Sequence, residues 1–272
     1  MKRLFLCMLG AMALLTVAGM PAQAASCGKT GAGFERWLAG FKKQAAAHGI
    51  SKRTLAVAFA GVTYHNRVVR LDRNQKSFKL SFRQFYKRRV NNALINRGKS
   101  RMKKYARVLK RIEKRYGVPG PVIVAIWGLE TGYGGNSGKM SVMRSLATLA
   151  YDCRRSAFFT NELMAALQII QRGDMSPRQM RGAWAGEIGQ TQFLASSYIK
   201  YAVDFDGNGR RDLIRSVPDV LASTANYLKA YGWRRGGGWK PGSANYGVIK
   251  QWNRATVYQK TIAVMADKLA GS

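Results

Sequence analysis

Apolar residues recur every three or four positions along most of the chain, which is the spacing of an α-helix. The first such stripe ends at Gly49, and Ser51 follows as a candidate cap for the next helix. Patterns that alternate polar and apolar residues, as strands do, are scarce. The pattern therefore predicts a mainly α fold. The first stripe comprises Phe34, Leu38, Phe41 and Ala45.

Four further segments combine this spacing with a start or stop signal. Glycine and proline are typical of helix ends, serine is a good cap, and proline suits the first helical position. The predicted elements are a helix from Tyr105 to Tyr116 closed by Gly117 and Pro119, a helix after Thr160 carrying Leu163, Leu167 and Ile170, a short helix starting at Ser176-Pro177, and a helix over 220–231 preceded by the capping-box pattern of Ser216 to Asp219.

One glutamate lies in an unusually apolar segment. The run from Pro121 to Thr131 predicts a buried helix that Gly132 ends, so Glu130 falls in its last turn. Apolar surroundings and the negative end of the helix dipole both disfavour a carboxylate, so they raise the pKa of Glu130 as a general acid requires. On this pattern alone, a glutamate that simply reaches solvent at a helix end is an equally good interpretation.

The first residues are typical of a secretory signal peptide. Lys2 and Arg3 precede an apolar run over residues 4–17, and Ala22-Gln23-Ala24 is an A-x-A cleavage pattern. A membrane anchor is the alternative, but the run is shorter than the span of about 20 residues that a bilayer needs. We predict a signal peptide over residues 1–24 and a soluble periplasmic chain over 25–272, without stable membrane insertion.

The charge balance adds an expectation about partners. The chain has 46 Lys and Arg against 13 Asp and Glu, a net charge of +33, and such a surface attracts polyanions. Basic clusters concentrate between Arg67 and Arg115. Solvated helix faces are the commoner explanation of such clusters, but the few acids nearby cannot pair them all, so we favour an electrostatic role. Export argues against nucleic acid as the natural partner.

Two cysteines remain once Cys7 has left with the signal peptide. Cys27 and Cys153 then form an even pair in an oxidising compartment, which predicts a disulfide. Two buried free thiols are the alternative, and the spacing of this pair fits no metal site.

Several motifs in order resemble the lytic murein transglycosylase B family, over about residues 34–269. The resemblance implies a lysozyme-like helical catalytic core over about 117–272, with an additional helical N-terminal region over about 34–116. The motifs are Val69 to Arg73, Trp127-Gly128-Leu129-Glu130-Thr131-Gly132-Tyr133-Gly134, Gly182 to Phe193, Ser196 to Tyr198, Tyr201 to Phe205, Ala225 to Leu228, and Gly232-Trp233.

The resemblance implies a monomeric enzyme that acts on peptidoglycan glycan strands. Glu130 would protonate the glycosidic oxygen of a MurNAc–GlcNAc β-1,4 bond and then, as a base, help the MurNAc C6 hydroxyl close a 1,6-anhydro ring. No cofactor is required. A hydrolytic muramidase would use a second carboxylate, for which Glu187 is the candidate. Because Glu187 departs from the small residue common in the family motif, we interpret it as a variant flank. A non-catalytic wall-binding protein is a further alternative.

The resemblance also assigns substrate-binding residues. Gln192 is expected to bind sugar near the cut, Tyr227 to lie beside Glu130, and Asn253 and Tyr258 to occupy cleft positions. Trp252 is interpreted as an ordinary core aromatic. Ala183 stands where a relative has a serine, so one polar contact to the acid or substrate is expected to be missing.

An acidic loop matches the first half of a calcium-binding EF-hand. Its candidate ligands lie at loop positions 1, 3, 5, 7 and 9, but position 12, which should be a bidentate acid, is Arg215. Some relatives hold calcium here, and an Asx-rich turn that orders itself is the alternative. The candidate calcium ligands are Asp204, Asp206, Asn208, the carbonyl of Arg210, and Asp212.

Overall fold

The computed structural model describes residues 27–74 and 80–271, so the predicted signal peptide lies outside the described residues. Within them the chain forms thirteen α-helices, one 3-10 turn and two short strands. In order, these are the turn Gly31–Gly33, α1 Phe34–Ala47, α2 Lys52–Ala58, α3 Asn66–Arg73, α4 Phe82–Arg89, α5 Asn92–Lys104, α6 Ala106–Tyr116, α7 Gly120–Thr131, β1 Met140–Ser141, α8 Val142–Tyr151, α9 Ser156–Gln171, β2 Arg181–Gly182, α10 Ala195–Tyr201, α11 Val217–Ala230, α12 Tyr246–Trp252 and α13 Thr256–Ala270.

Helix α7 lies at the centre of the molecule. Its residues from Val122 to Leu129 are all buried, and α5, α6, α11 and α13 pack around it. A helix apolar on every side is stable only when other elements cover it completely. Helices before and after Gly117 join one hydrophobic core, and the predicted division of the chain near that residue stays a prediction.

Most of the predicted helix signals act as expected. The Ser51 side chain accepts a hydrogen bond from the Thr54 N–H at 3.1 Å, and Gly117 ends α6 in the left-handed conformation, with φ of 74°. The helix predicted after Thr160 begins earlier, at Ser156. Mainly α architecture is therefore confirmed.

The short helix predicted at Ser176-Pro177 is wrong. Ser176 and Gln179 exchange capping hydrogen bonds, but the helix stops after this single turn because the chain enters β2. Strand β2 pairs antiparallel with β1, Met140 opposite Gly182 and Ser141 opposite Arg181. The pairing interrupts the helical pattern and leads the following segment towards the end of α7.

The structure joins Cys27 to Cys153, with their Cα atoms 5.0 Å apart, which confirms the predicted disulfide. The N–H of Gly28 also donates to the carbonyl oxygen of Tyr151 at 2.9 Å. The start of the described chain is thus tied to the segment between α8 and α9. None of the helices in the described ranges is both long and apolar enough to cross a membrane.

Candidate active site

Glu130 lies in the last turn of α7, as predicted. Gly132 follows it in the left-handed conformation, with φ of 61°, and ends the helix. The carbonyl oxygen of the preceding residue, Leu129, accepts a hydrogen bond from Arg89 Nη2 at 2.6 Å. This end of the helix is therefore held by a side chain from α4 as well as by its own glycine.

One oxygen of the Glu130 carboxyl accepts two hydrogen bonds. Trp252 Nε1 donates to Oε1 at 2.9 Å, and the Tyr258 hydroxyl donates to the same oxygen at 2.8 Å. The other oxygen, Oε2, receives neither of these hydrogen bonds.

Burial raises the pKa of Glu130 and is the largest influence on it. The hydrogen bonds from Trp252 and Tyr258 and the positive charge of Arg89 lower the pKa, but the balance stays above the ordinary value. A raised pKa keeps a larger share of the carboxyl protonated near neutral pH. Such a group can give up a proton and later take one back.

A cavity of about 310 Å³ opens beside Glu130. It brings together three of the four predicted substrate-binding residues, Gln192, Tyr227 and Asn253, with Glu130 itself. Tyr258 is not in its wall, because this side chain is 5 % exposed and lies behind the carboxyl. Tyr258 positions the acid in this geometry. The other lining residues are Glu187, Phe193, Leu194, Ser197 and Trp252.

The interpretation of Trp252 as an ordinary core aromatic is wrong. Its ring contacts Phe193 and Tyr227, but it also lines the cavity and donates its indole N–H to Glu130. A signal was available, because Trp252 stands directly before Asn253 within the resembling segment. An indole N–H that is withdrawn from water usually has a partner.

Gln192 and Tyr227 are both held by hydrogen bonds to backbone carbonyls. Gln192 Nε2 donates to Gly189 at 2.8 Å and to Ser137 at 3.2 Å, which leaves its amide oxygen available. The Gln192 backbone has a φ of 55°, a strained conformation for a residue other than glycine. The Tyr227 hydroxyl donates to the Gln251 carbonyl at 2.7 Å, so its ring is fixed in the cavity wall.

Glu187 shares this cavity, although its motif position was interpreted as a variant flank. Among the described residues its Oε2 has no hydrogen-bond partner, and that atom is screened from solvent. Burial raises the pKa of Glu187, and the charge of Glu130 raises it further. Hydrogen bonds from the backbone of Glu187 and Ala185 and the charge of Arg155 lower the pKa only in part. Two carboxyl groups therefore face one cavity.

A second cavity, of about 300 Å³, reaches Glu130 from another side. Three arginines, Arg88, Arg89 and Arg97, lie in its wall, and all three are exposed. They belong to the basic segment for which the sequence predicted an electrostatic role. The remaining lining residues are Asn91, Leu94, Gly128, Leu129, Glu130, Thr131, Gly132 and Asn136.

The acidic loop groups its carboxylates differently from the prediction. Oxygens of Asp204, Asp206 and Asp219 lie within 4.8 Å of one another. The predicted ligand Asp212 instead accepts hydrogen bonds from the Ile214 and Arg215 N–H groups, each at 2.9 Å. Asn208 Oδ1 likewise accepts from the Arg210 N–H at 2.9 Å. These two side chains cap turns of the loop.

Sequence reasoning missed Asp219. The sequence pattern places it in a capping box, and the Ser216 side chain does accept a hydrogen bond from its N–H at 3.3 Å. Its own carboxylate turns to the loop and accepts from Phe205 at 2.7 Å and Asp212 at 2.9 Å. An acid beyond Arg215 was the available signal, but it lies outside the spacing of an EF-hand.

The chain is similar to known enzymes of the bacterial cell wall. The family model described as "Transglycosylase SLT domain" matches residues 33–243. The chain is 41% identical over 133 residues to membrane-bound lytic murein transglycosylase B of Escherichia coli (strain K12). That alignment covers 48% of this chain and spans only 37% of the length of that relative.

Solved structures agree with this similarity. SltB3 from Pseudomonas aeruginosa, crystallised with NAG-anhNAM-pentapeptide, superposes with a TM-score of 0.84 and 34% identity, covering 88% of this chain and 80% of that one. Soluble lytic transglycosylase SltB1 from the same organism gives 0.81 and 26%, covering 86% and 98%. Escherichia coli Slt35 in complex with calcium gives 0.76 at 24% identity, covering 93% and 98%, and is similar in fold.

Proposed function

The chain belongs to the transglycosylase SLT domain family, and we propose that it is a lytic transglycosylase acting on the glycan strands of peptidoglycan. The observation that carries the proposal is the one-sided hydrogen bonding of Glu130 beside an open cavity. It leaves one carboxyl oxygen free to exchange a proton with a bound sugar.

Glu130 acts first as an acid. Its proton passes to the glycosidic oxygen between MurNAc and GlcNAc, and the bond from that oxygen to C1 breaks. The carboxylate left behind is stabilised by Trp252 and Tyr258, whose donors both point at Oε1. Glu130 then accepts the proton of the MurNAc C6 hydroxyl as O6 bonds to C1. The product is a 1,6-anhydro ring, and no cofactor takes part in these steps.

Gln192, Tyr227 and Asn253 bind the sugar in this scheme. Their side chains share the cavity wall with Glu130. The amide oxygen of Gln192 is free to accept from a hydroxyl, and the Tyr227 ring offers an apolar face to sugar C–H groups. Because backbone carbonyls hold Gln192 and Tyr227, little ordering is required when substrate binds.

Product analysis tests the reaction. Purified protein is incubated with sacculi, and the released muropeptides are identified by mass spectrometry. We expect 1,6-anhydro-MurNAc ends. Reducing ends would establish a hydrolytic muramidase instead, the second candidate, which the shared cavity of Glu130 and Glu187 favours. Binding without release would leave a non-catalytic wall-binding protein.

We also propose a structural calcium site at the acidic loop, formed by Asp204, Asp206 and Asp219. Three carboxylates within 4.8 Å suit a hard cation that prefers oxygen ligands. Asp204 also accepts hydrogen bonds from the N–H groups of Gly207 and Gly209, so a self-ordered turn remains the alternative. Calcium should raise the melting temperature relative to chelator if the site is real. An unchanged melting temperature would favour the turn.

The leader pattern and the disulfide support a proposal about the compartment. We propose that the protein is exported, loses residues 1–24 and works in the periplasm as a monomer. A disulfide such as Cys27–Cys153 persists in an oxidising compartment. N-terminal sequencing of the protein recovered from a periplasmic fraction should begin at Ala25, and its molar mass in solution should be that of one chain.

A further inference from the structure

Glu187 is held in a turn whose backbone has little freedom. The N–H of Ile188 donates to the Phe193 carbonyl at 2.7 Å, and the Phe193 N–H returns a hydrogen bond at 2.9 Å. A Cβ at Gly182 would overlap the carbonyl oxygen of Glu187, so the two segments approach as closely as glycine allows. The turn fixes the point from which the Glu187 side chain enters the cavity.

One oxygen of the Glu187 carboxyl lacks a hydrogen-bond partner in the described structure. A buried polar atom without a partner is destabilising, and such atoms are uncommon in folded proteins. Oε2 of Glu187 is one of them within residues 27–74 and 80–271. Four donors beside Glu130 or in the cavity wall serve other acceptors: Trp252 and Tyr258 donate to Glu130, Gln192 donates to Ser137 and Gly189, and Tyr227 donates to Gln251. The Ser197 hydroxyl and the Asn253 amide also line the cavity but make no hydrogen bond to Oε2.

Arg155 is the positive charge that acts on Glu187. Its guanidinium is directed to the buried carboxylate of Asp72 and lies 4.8 Å from the centre of the Phe159 ring. These contacts occupy Nη2 and one face of the guanidinium, but Nε of Arg155 is buried and, like Oε2 of Glu187, has no hydrogen-bond partner among the described residues. An ion pair between Arg155 and Glu187 is therefore the structural alternative that an experiment must separate from a role in binding.

We propose that Glu187 is a substrate-binding carboxyl that accepts a hydrogen bond from the acetamido N–H of the MurNAc residue whose C1 reacts. The inference rests on the proposed transglycosylase function. The missing partner of Oε2 is then supplied by the substrate. The acetamido N–H suits the position because it can only donate, whereas sugar hydroxyls also accept and can bind at less demanding sites.

The same contact assists the reaction. As the glycosidic C1–O bond breaks and its oxygen takes the Glu130 proton, the acetamide carbonyl oxygen bonds to C1 and its nitrogen becomes positive. A carboxylate on that N–H stabilises the charge more in the transition state than in the bound substrate. When O6 attacks C1, the bond from C1 to the acetamide oxygen breaks and the C6 hydroxyl proton goes to Glu130.

Activity on two substrates tests the proposal. Glu187→Ala, Glu187→Gln and the exposed control Glu35→Gln are assayed on glycan strands with intact acetamido groups and on synthetic strands in which a 2-O-acetyl ester replaces each acetamido group. On intact strands we expect Glu187→Ala to lower kcat by roughly 10²–10³-fold, as for the loss of one group that stabilises transition-state charge. On the ester strands, which keep the carbonyl oxygen but have no N–H at this position, the same variant should change kcat far less. Glu35→Gln should match the parent protein on both.

Thermal unfolding separates this role from the ion pair with Arg155. A carboxyl whose pKa is raised by folding weakens the fold as pH rises above its unfolded value, about 4.3 for glutamate. Glu187→Gln should therefore keep or raise the melting temperature, and its advantage should be larger at pH 8 than at pH 4. An ion pair gives the opposite sign, because the variant would then lose stability at pH 8.

Each outcome decides a different point. Equal loss of kcat on both substrates would show that Glu187 binds a hydroxyl, and the acetamide assignment would be wrong. Unchanged kcat together with a lower melting temperature at pH 8 would make Glu187 structural. If the parent protein yields no anhydro products at all, the proposed function fails and this inference falls with it.

Discussion

The two cavities that meet at Glu130 differ in charge and in the kind of side chain that lines them. One is walled by the rings of Phe193, Tyr227 and Trp252, with the carboxyl of Glu187 among them. The other is walled by exposed arginines on and after α4. The first suits neutral sugar rings, whose C–H faces pack on aromatic side chains. The second suits anionic groups, which the peptide stems of peptidoglycan carry as carboxylates.

Opposing influences on the pKa of Glu130 explain how this carboxyl can first hold a proton and then be stable as a carboxylate. Burial raises the pKa of Glu130, whereas Trp252 from the aromatic side, Tyr258 from behind the carboxyl and Arg89 from the basic side lower it. The raised pKa favours proton donation. The donors and the positive charge then stabilise the carboxylate that must act as a base. Variants that alter one of these contacts at a time test how each contributes to the pKa of Glu130.

The largest effect on activity is expected from replacing Glu130, whose carboxyl lies between the two cavities. Glu130→Gln keeps the shape of the side chain but removes the proton that both steps use. Release of anhydro-muropeptides should fall by at least about 10²–10⁴-fold, with an unchanged circular dichroism spectrum. Glu35→Gln, an exposed glutamate of α1, is the control. A folded Glu130→Gln protein that retained activity would contradict the assignment of the acid.

The next effect on activity is expected at Tyr258, which contacts the acid from behind the cavity wall. Tyr258→Phe removes a hydrogen bond to Oε1 that favours the ionised form, so the pKa of Glu130 should rise. The alkaline limb of kcat/KM, which reports loss of the acidic proton, should move to higher pH. Near pH 7 the rate should fall roughly 10- to 100-fold, as for a lost hydrogen bond to a charged group.

A matched control for that variant is Tyr231→Phe. Tyr231 packs on Tyr227, at 4.7 Å between ring centres, and no hydrogen bond from it to Glu130 occurs among the described residues. The alkaline limb of kcat/KM for Tyr231→Phe should lie at the same pH as in the parent protein. If Tyr258→Phe left the alkaline limb where it is, the hydrogen bond would not control the acid.

A smaller effect is expected on the basic side. Arg88→Gln and Arg97→Gln should weaken binding to peptide-bearing strands by roughly 2- to 5-fold each, the range of exposed ion pairs. Binding of the parent protein to sacculi should weaken steeply with salt, and the variants should show a shallower dependence. Strands stripped of peptide should not distinguish them.

Arg36→Gln serves as the control for charge alone. It removes the same charge from an exposed position on α1 that lines neither cavity. If Arg36→Gln lowered binding as much as Arg88→Gln, the net charge of the protein and not the arginine-lined cavity would govern affinity. A salt-independent affinity would instead assign binding to the aromatic cavity.

The smallest effect on the reaction rate is expected from reducing the disulfide. Cys27–Cys153 closes a loop with a sequence separation of 126 residues, and chain-entropy models give about 4–5 kcal/mol for loops of this size. Reduction should lower the melting temperature and leave the rate per folded molecule nearly unchanged. Thiol titration of the denatured, oxidised protein checks the bond, and two free thiols per chain would refute it.

Local signals along the chain determined the helices and the place of the acid. Ser51 caps α2, Gly117 ends α6, and Gly132 ends α7 just after Glu130 because each conformational preference acts within a few residues. The apolar run before Glu130 also implied burial. From burial and the helix end, the direction of the pKa shift followed without knowledge of any partner.

Only the tertiary structure decided what surrounds that acid. Trp252 and Tyr258 reach Glu130 across 122 and 128 residues of sequence, and no local pattern encodes which ring turns to a carboxyl and which to the core. Pairing of β1 with β2 cut short the helix predicted at Ser176. These are long-range contacts, chosen by how whole helices pack.

Asp219 and Glu187 show the same limit of prediction from local sequence. Asp219 has the sequence pattern of a helix cap, yet the fold turns its carboxylate to a loop that begins fifteen positions earlier, at Asp204. Glu187 looks like a motif variant, yet the fold places it in the cavity of Glu130. Sequence determines which side chains can ionise. The tertiary packing decides whether each of them contacts protein, solvent or substrate, because the residues around it come from distant parts of the chain.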